Sequence, residues 1–394
     1  MKNSFILIRR SWAYFFVKNA SDQLTFYARH EKMYARTLDM EMSGSIIATR
    51  REVADLAGVS EATVSRVLNG VGPIKEETRI KVLDAASQLG YVPSNLARSF
   101  ARRKSGNMGV VLPYIPKARL FSSYYFSEIL SGMGNTVREQ GYDLLVLFRS
   151  EEDTPEYVSF FRMQKVDALI VLGAKDEPGE REALRKLREA RHPFIVVNQH
   201  FDRENFPEVD VDHEEGSRMA VQHLIDQGLH RIAFLNGPLT YSNSLDRFKG
   251  FQKALQQRGL ELDESLLFEG NFGRRSGYAI GDEIAKRVEQ VDAVFVANDR
   301  MAVGLLQRLR ELLPDQQHFP AIVGYDDSDS AEICVPPLSS VRVPFYEMGE
   351  LAARLMLTAC EDPSNWSQMF KEHPRYLLQA ELIVRASSKN RTGG

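Results

Sequence analysis

Five side chains in the second half of this 394-residue chain could together hold a small polyhydroxylated molecule. Asn198, Arg247, Asn298 and Asp326 each follow a short apolar run, directly or across a loop, and Phe272 lies in the glycine-rich stretch G-N-F-G. An arginine and an aspartate converging on one cleft bracket vicinal hydroxyls with charge-assisted hydrogen bonds. An aromatic ring covers the apolar face of a sugar. Tyr124, in the aromatic cluster Phe121, Tyr124, Tyr125, Phe126, is a sixth candidate because its hydroxyl allows a polar contact. Plainer roles compete: Asp299 as the N-cap of a helix over 301–312, Asn298 satisfying loop backbone, and Arg247, read as opening a helix, in a surface ion pair.

A second group sits near the other end. Thr49 to Asn69 reads T-R-R-E-V-A-D-L-A-G-V-S-E-A-T-V-S-R-V-L-N. Thr49 and Glu52 have the spacing of a capping box, Gly58 permits the turn, and Ser60 caps a second helix. Val53, Leu56 and Ala57 share one face of the first helix. Val64, Val67 and Leu68 point inward from the second, while Glu61, Ala62, Ser65 and Arg66 point outward. Two helices so joined can lay the second in a DNA major groove. The Arg66 guanidinium matches guanine O6 and N7. Thr49, Ser60, Thr63, Asn69 and Thr78 suit phosphate contacts that set register. A third amphipathic helix, between Ile74 and Tyr91, completes a small core with Ile80, Val82, Leu83, Ala86 and Leu89 as its apolar positions.

The elements that must position the first group follow from Gly106 onward. Apolar runs at 108–112, 144–148, 168–172, 194–197, 232–235, 293–297, 321–325 and 340–343 alternate with amphipathic stretches such as 126–140, 180–190, 214–227 and 247–258. Strands apolar along their whole length are covered on both faces, as in doubly wound parallel sheets. Ligands in such α/β folds bind at the carboxyl ends of strands, where the five candidates fall.

The run V-A-x-x-A-G-V-S-x-x-T-V-S-R-V-L-N, then T-R-x-K-V, then G-Y-V-P-x-x-x-A-R-S resembles the lactose repressor/galactose repressor (LacI/GalR) family of bacterial transcription regulators, over about residues 48–388. The resemblance implies a three-helix headpiece, a hinge helix, and two periplasmic-binding-protein-like lobes around an effector cleft, with chain crossings near Val209 and Val335–Val343. It places the headpiece at 48–93, hinge and linker at 94–105, and the effector-binding and dimerisation core at 106–388. Within the core, the first lobe is expected at about 106–208 and 341–362 and the second at about 209–340 and 363–388, followed by a tail at 389–394. Motif by motif, S-x-x-x-R-x-x-G-F matches Arg247, A-N-D-x-M-A-x-G matches Asn298, G-Y-D-D matches Asp326, and the preceding loop aromatic matches Phe272. Glu61 and Ala62 stand at the variable specificity positions. Asn95, Arg98 and Phe100 fall on the hinge, where an apolar side chain wedges between base pairs. Lys75 replaces a helix-capping serine.

The implied partners are palindromic operator DNA, a second copy of the chain, and a small-molecule effector of sugar or sugar-derived type. A purine or a phosphorylated carrier protein is the alternative effector, and an exported sugar-binding protein is a less favoured reading. A phenylalanine wedge kinks the operator at the cost of an unstacked base step. Phe100→Ala is therefore expected to weaken binding to a palindromic operator far more than to scrambled DNA in titrations of both. Equal losses would refute the wedge.

Charge fits this division. Ten basic against six acidic residues lie between Thr49 and Ser105 and seven against four in residues 1–48, on a chain of net charge −3, so the remainder is acidic. Such a chain meets phosphates with one end only. The two cysteines, Cys334 and Cys360, imply no disulfide framework, and the expected location is cytoplasmic and nucleoid-associated. No G-x-S-x-G, P-loop or H-E-x-x-H occurs, so the sequence calls for no catalytic residue, metal or cofactor. His223 and His230 read as surface or capping residues. Residues 1–47, with Trp12, Tyr14, Phe15 and Phe16, are expected to be an extension from an upstream start, Met40 or Met42 being the natural ones. N-terminal sequencing of native protein beginning at Met1 would overturn that.

Overall fold

The computed structural model describes residues 48–91, 104–114, 120–150, 155–314, 319–362, 366 and 375–389. Residues 1–47, expected to be an extension, and the hinge candidates Asn95, Arg98 and Phe100 lie outside them. The chain divides into two units, one up to Arg102 and one from Arg103 onward.

Among the described residues the first unit has three helices: α1 (Arg50–Ala57), α2 (Glu61–Asn69) and α3 (Glu76–Gln88). Thr49 and Glu52 form the capping box on α1. Gly58 ends α1 at φ +65°, a left-handed conformation that costs glycine nothing. The Ser60 hydroxyl accepts from the Thr63 N–H at 3.2 Å and starts α2. Lys75 gives α3 no side-chain cap. Val53, Ala54, Val64, Val67, Val82, Ala85 and Ala86 form the core. Leu56, Ile80, Leu83 and Leu89 are exposed rather than inward-facing. The smaller Ala54, Ala85 and Ala86 occupy the face that meets the other helices, so the inward stripe is rotated from the bulkiest residues.

The second unit holds two six-stranded sheets. The first contains β1 (Asn107–Tyr114), β2 (Asp143–Ser150), β3 (Ala168–Leu172), β4 (Phe194–Val197), β5 (Glu208–Val211) and β11 (Arg375–Leu378), in the order 11-5-4-3-1-2. The second contains β6 (Ile232–Asn236), β7 (Leu267–Glu269), β8 (Ala293–Val296), β9 (Ala321–Asp326), β10 (Ser339–Arg342) and β12 (Glu381–Ile383), in the order 12-10-9-8-6-7. Every pairing is parallel except β10 with β12. β3, β4, β6, β8 and β9 are buried along their whole length, which is why they read as unbroken apolar runs. In each sheet the winding reverses beside the first strand, between β1 and β3 and between β6 and β8, which opens a crevice at the carboxyl ends.

Helices α4 (Tyr124–Glu139), α5 (Tyr157–Arg162), α6 (Pro178–Glu189) and α12 (Phe345–Glu361) belong with the first sheet. With the second go α7 (His213–Asp226), α8 (Ser242–Gln257), α9 (Arg274–Lys286), α10 (Asp299–Leu312) and α11 (Asp329–Ile333). Some pairs touch backbone to backbone. A Cβ placed on Gly277 would stand 2.0 Å from the Met301 carbonyl oxygen, and one on Gly304 would stand 2.0 Å from that of Arg274. Gly132 and Gly349 meet in the same reciprocal way where α4 crosses α12.

The chain passes between lobes three times: at Asp212, at Val343–Pro344, and at Gln379–Ala380. This corrects the expected lobe limits. Glu208–Val211 pairs with β4 and so stays in the first sheet, and β10 remains in the second as far as Arg342. Arg375–Leu378, expected in the second lobe, is the edge strand of the first, in register with Glu208–Val211.

Candidate functional site

In the headpiece, α2 presents Glu61, Ala62 and Arg66 to solvent, with Ser65 and Thr63 half-buried beside them. The Asn69 amide donates to the Ser65 hydroxyl at 3.2 Å, and the Ser60 and Thr63 hydroxyls meet at 3.0 Å. Thr49 is exposed at the start of α1 and Thr78 half-buried in α3. Glu61 pairs with Arg50 at 3.2 Å. Exposed pairs of this kind are weak and readily exchanged, so Glu61 keeps its freedom to meet a base edge.

In the core, four candidates of the second lobe gather at the carboxyl ends of β6 to β9. Arg247 does not open its helix. α8 begins at Ser242, because the Asn236 side chain at the end of β6 accepts from Gly237 N–H at 2.8 Å and donates to the Ser244 carbonyl at 3.0 Å. Arg247 is thereby carried one turn inward and is only 3% exposed. Its guanidinium carbon lies 4.1 Å from the centre of the Tyr325 ring, a cation–π contact. Its Nε, Asn243 Oδ1 and Ser244 Oγ are buried with no hydrogen-bond partner among the described residues. Three orphaned polar atoms on one helical turn mark a place where a polar ligand would complete the bonding.

The outer edge of the Phe272 ring abuts Gly237, and its centre lies 5.8 Å from that of Tyr241. Asn298 holds this loop. Its Oδ1 accepts from Met301 N–H at 2.9 Å, and its Nδ2 donates to the Phe272 carbonyl at 3.1 Å. Asn298, not Asp299, is thus the N-cap of α10. The Asp299 carboxylate turns into the core, where it accepts from Ser328 N–H at 2.7 Å, Ser328 Oγ at 3.0 Å and Ser340 Oγ at 2.6 Å. Burial pushes Asp299 up to about 7 against the pull of those three donors. Asp326, the last residue of β9, is driven well above the usual carboxylate range by burial and by Asp299, with Arg247 opposing.

From the first lobe come Asn198, which follows β4, and the start of α4. Tyr124 stands 6.1 Å from Phe345, and burial together with Glu128, Asp327, Asp329 and Asp326 pushes its phenol up to about 12. The three aspartates belong to the other lobe, which places Tyr124 near the facing lobe. Tyr125 lies deeper. Burial raises its phenol and the Asn198 amide opposes that rise.

Backbone strain collects at the same place. Asn198 (φ +58°), Phe272 (+61°), Asp326 (+106°) and Asp327 (+54°) all occupy left-handed backbone that side chains with a Cβ avoid. Such strain persists where surrounding structure holds it, typically at ligand sites.

The lobes touch beside this cleft. Ser242 Oγ accepts from His200 N–H at 2.9 Å, Ser242 N–H donates to Gln199 Oε1 at 3.0 Å, and Asp176 N–H donates to the Thr240 carbonyl at 2.9 Å. Arg375 and His200 approach Asp246 at 3.9 Å and 3.6 Å. Sequence reading missed His200, Asp210, His213, Tyr325 and Arg375. One signal was available: E-V-D-V-D-H at 208–213 alternates acids with valines, the mark of a strand with a polar face. His223 is half-buried, bonded to Ser388 Oγ at 2.8 Å, and His230 is exposed. No helix among the described residues is long and apolar enough to cross a membrane.

Comparison with known proteins agrees with both halves of this picture. The model for bacterial regulatory proteins of the lacI family matches residues 49–94, and that for a periplasmic binding protein-like domain matches residues 221–388. The HTH-type transcriptional regulator CelR of Thermobifida fusca is 34% identical over 343 residues, 86% of this chain and 98% of that protein. The HTH-type transcriptional repressor PurR of Vibrio atlanticus (strain LGP32) is 30% identical over 348 residues, 87% of this chain and 99% of that one. Among solved structures, a CelR–cellobiose complex aligns with TM-score 0.61 at 31% identity, covering 86% of this chain and 99% of that one. A lac repressor dimer bound to operator and the anti-inducer ONPF aligns with TM-score 0.74 at 24% identity over the same shares, which speaks for the fold. The capped helix pair with its exposed Arg66, the two wound lobes and these matches over nearly whole chains identify the protein as a member of the LacI family of bacterial transcription regulators.

Proposed function

We propose that this regulator represses carbohydrate-metabolism genes, binding a palindromic operator as a homodimer under control of a sugar or sugar-derived effector held between the lobes. The observation that carries the reading is the convergence of Arg247, Phe272 and Asp326 from the second lobe on Asn198 and Tyr124 of the first. Cation, carboxyl, amide and aromatic face are what a polyhydroxylated ring requires. The relative CelR was solved with cellobiose, which supports a sugar over a purine. A ligand that bridges the lobes favours one relative orientation of them. In a dimer that changes the spacing of the two hinges, and only differential affinity for the two states drives the response.

In the headpiece, Arg66 is the base-reading residue, with Glu61 and Ala62 setting further specificity and Thr49, Ser60, Thr63, Ser65, Asn69 and Thr78 on the phosphates. The test is selection of genomic DNA fragments by the purified protein. Palindromic sites near sugar-utilisation genes should be retained. Arg66→Ala should weaken binding to those sites by about 10- to 100-fold, the worth of one bidentate base contact, with little change on unrelated DNA. Retention of no fragment above background, with or without added sugars, would defeat the proposal.

A further inference from the structure

His213 is the first residue of α7, directly after the first crossing between lobes. Its ring is buried and bonded at both ends. Nε2 lies 2.7 Å from Asn198 Oδ1 of the first lobe, and Nδ1 lies 3.1 Å from the Tyr325 hydroxyl of the second. Asp210, Arg247, Arg375 and His200 also face it. Burial, aided by the Arg247 cation, pushes its pKa down to about 3, so the ring is neutral and has one donor and one acceptor.

The surroundings decide which nitrogen holds the proton. Nε2 meets two acceptors, Asn198 Oδ1 and, at 3.6 Å, Asp210 Oδ1. A lone pair on Nε2 would point at a carboxylate, so the proton belongs there. Nδ1 then accepts from the Tyr325 hydroxyl. The reverse arrangement would require the Asn198 amide to flip and would leave the Asp210 oxygen facing a lone pair. With its oxygen held by His213, Asn198 turns its two N–H donors the other way, where Tyr125 meets the amide.

We propose that His213 is a positioning residue of the effector site, locking Asn198 with its amide N–H groups toward the ligand and tying it to Tyr325, on whose ring Arg247 lies. The inference rests on the effector-cleft reading above and sharpens it. The first-lobe wall offers a donor at Asn198, so the ligand atom that meets it is an acceptor, such as a ring or hydroxyl oxygen.

The experiment uses the full chain with ¹⁵N-labelled histidine. Long-range ¹H–¹⁵N spectra, with the His213 signals identified by their loss in His213→Gln, should show a neutral ring protonated on Nε2 and unchanged between pH 8 and pH 5. Protonation on Nδ1, or titration within that range, would overturn the relay whether or not a sugar binds. Calorimetric titration with cellobiose and with ribose gives the second reading. For whichever sugar binds, His213→Phe should raise Kd by roughly 10- to 100-fold, the effect of freeing a buried amide, and His213→Gln, whose amide still reaches Asn198, should recover most of it. Tyr325→Phe should fall between them. Unaltered affinity in His213→Phe would refute the positioning role. Unaltered affinity in Arg247→Ala would instead defeat the cleft reading, leaving the ring's protonation state as its own result.

Discussion

Arg247→Ala is expected to erase the response of operator binding to effector while leaving operator binding itself intact. The side chain is buried, stacked on Tyr325, and has an Nε without a partner among the described residues. A buried cation with an open donor gives a ligand one strong charge-assisted bond, and its loss costs about 2–3 kcal/mol, or roughly 30- to 150-fold in affinity. Removing the cation also takes away the group that opposes the rise of Asp326, leaving that carboxyl more firmly protonated and a poorer acceptor for sugar hydroxyls. The backbone survives the change, because Ser217 Oγ donates to the Arg247 carbonyl at 2.6 Å, not to its side chain. Operator titrations with and without the sugar identified from the regulated genes would measure this. A normal response in a folded Arg247→Ala protein would remove Arg247 from the site.

Gly304→Ala is expected to be among the most damaging single methyls in the core. Its Cβ would stand 2.0 Å from the Arg274 carbonyl oxygen, and the opposing Gly277 allows no retreat because its own Cβ position is 2.0 Å from the Met301 carbonyl oxygen. Helices α9 and α10 would have to separate by more than an ångström, which opens voids along the rest of their contact. Overpacking of this kind, against backbone on both sides, costs on the order of 3 kcal/mol or more and about 5–10 °C in melting temperature. Gly134→Ala provides the contrast. It lies in α4, and nothing stands within 4 Å of its Cβ position, so better helix propensity should raise stability by up to about 1 kcal/mol. Calorimetry on the two variants should show opposite shifts. Equal stability would mean that the helix crossing is softer than its geometry.

The headpiece was legible because its signals are local. Thr49, Glu52, Gly58 and Ser60 each bond to partners within four residues of themselves, and the structure uses each as the sequence suggests. The buried strands were legible because a strand covered on both faces must be apolar throughout. The strands at 208–211, 267–269, 375–378 and 381–383 were not, being short, at or near a sheet edge, or carrying acids. Lobe membership of Arg375–Leu378 depends on a partner more than 160 residues away, which no local pattern encodes. The site divides in the same way. Arg247, Asn298 and Asp326 each follow a readable strand, and Phe272 is marked by its glycine-rich loop. Asn298 and Asp299 are adjacent and chemically alike as caps, and the serines at 328 and 340 decide between them by taking Asp299 away. His213 closes the alternating run at 208–213, but nothing in that run announces its partners, which come from two different lobes.

The triple passage between lobes also fixes the order in which a newly made chain becomes a regulator. The headpiece is complete once Tyr91 has left the ribosome. Neither sheet has all six of its described strands until β11 and β12 have emerged. A headpiece of this size is marginal on its own. A chain cut short before Arg375 therefore carries a weakly held helix trio and two sheets that each lack an edge strand. Such a product is expected to be cut by proteases more readily than the full chain, which limited proteolysis of a chain ending before Arg375 would measure.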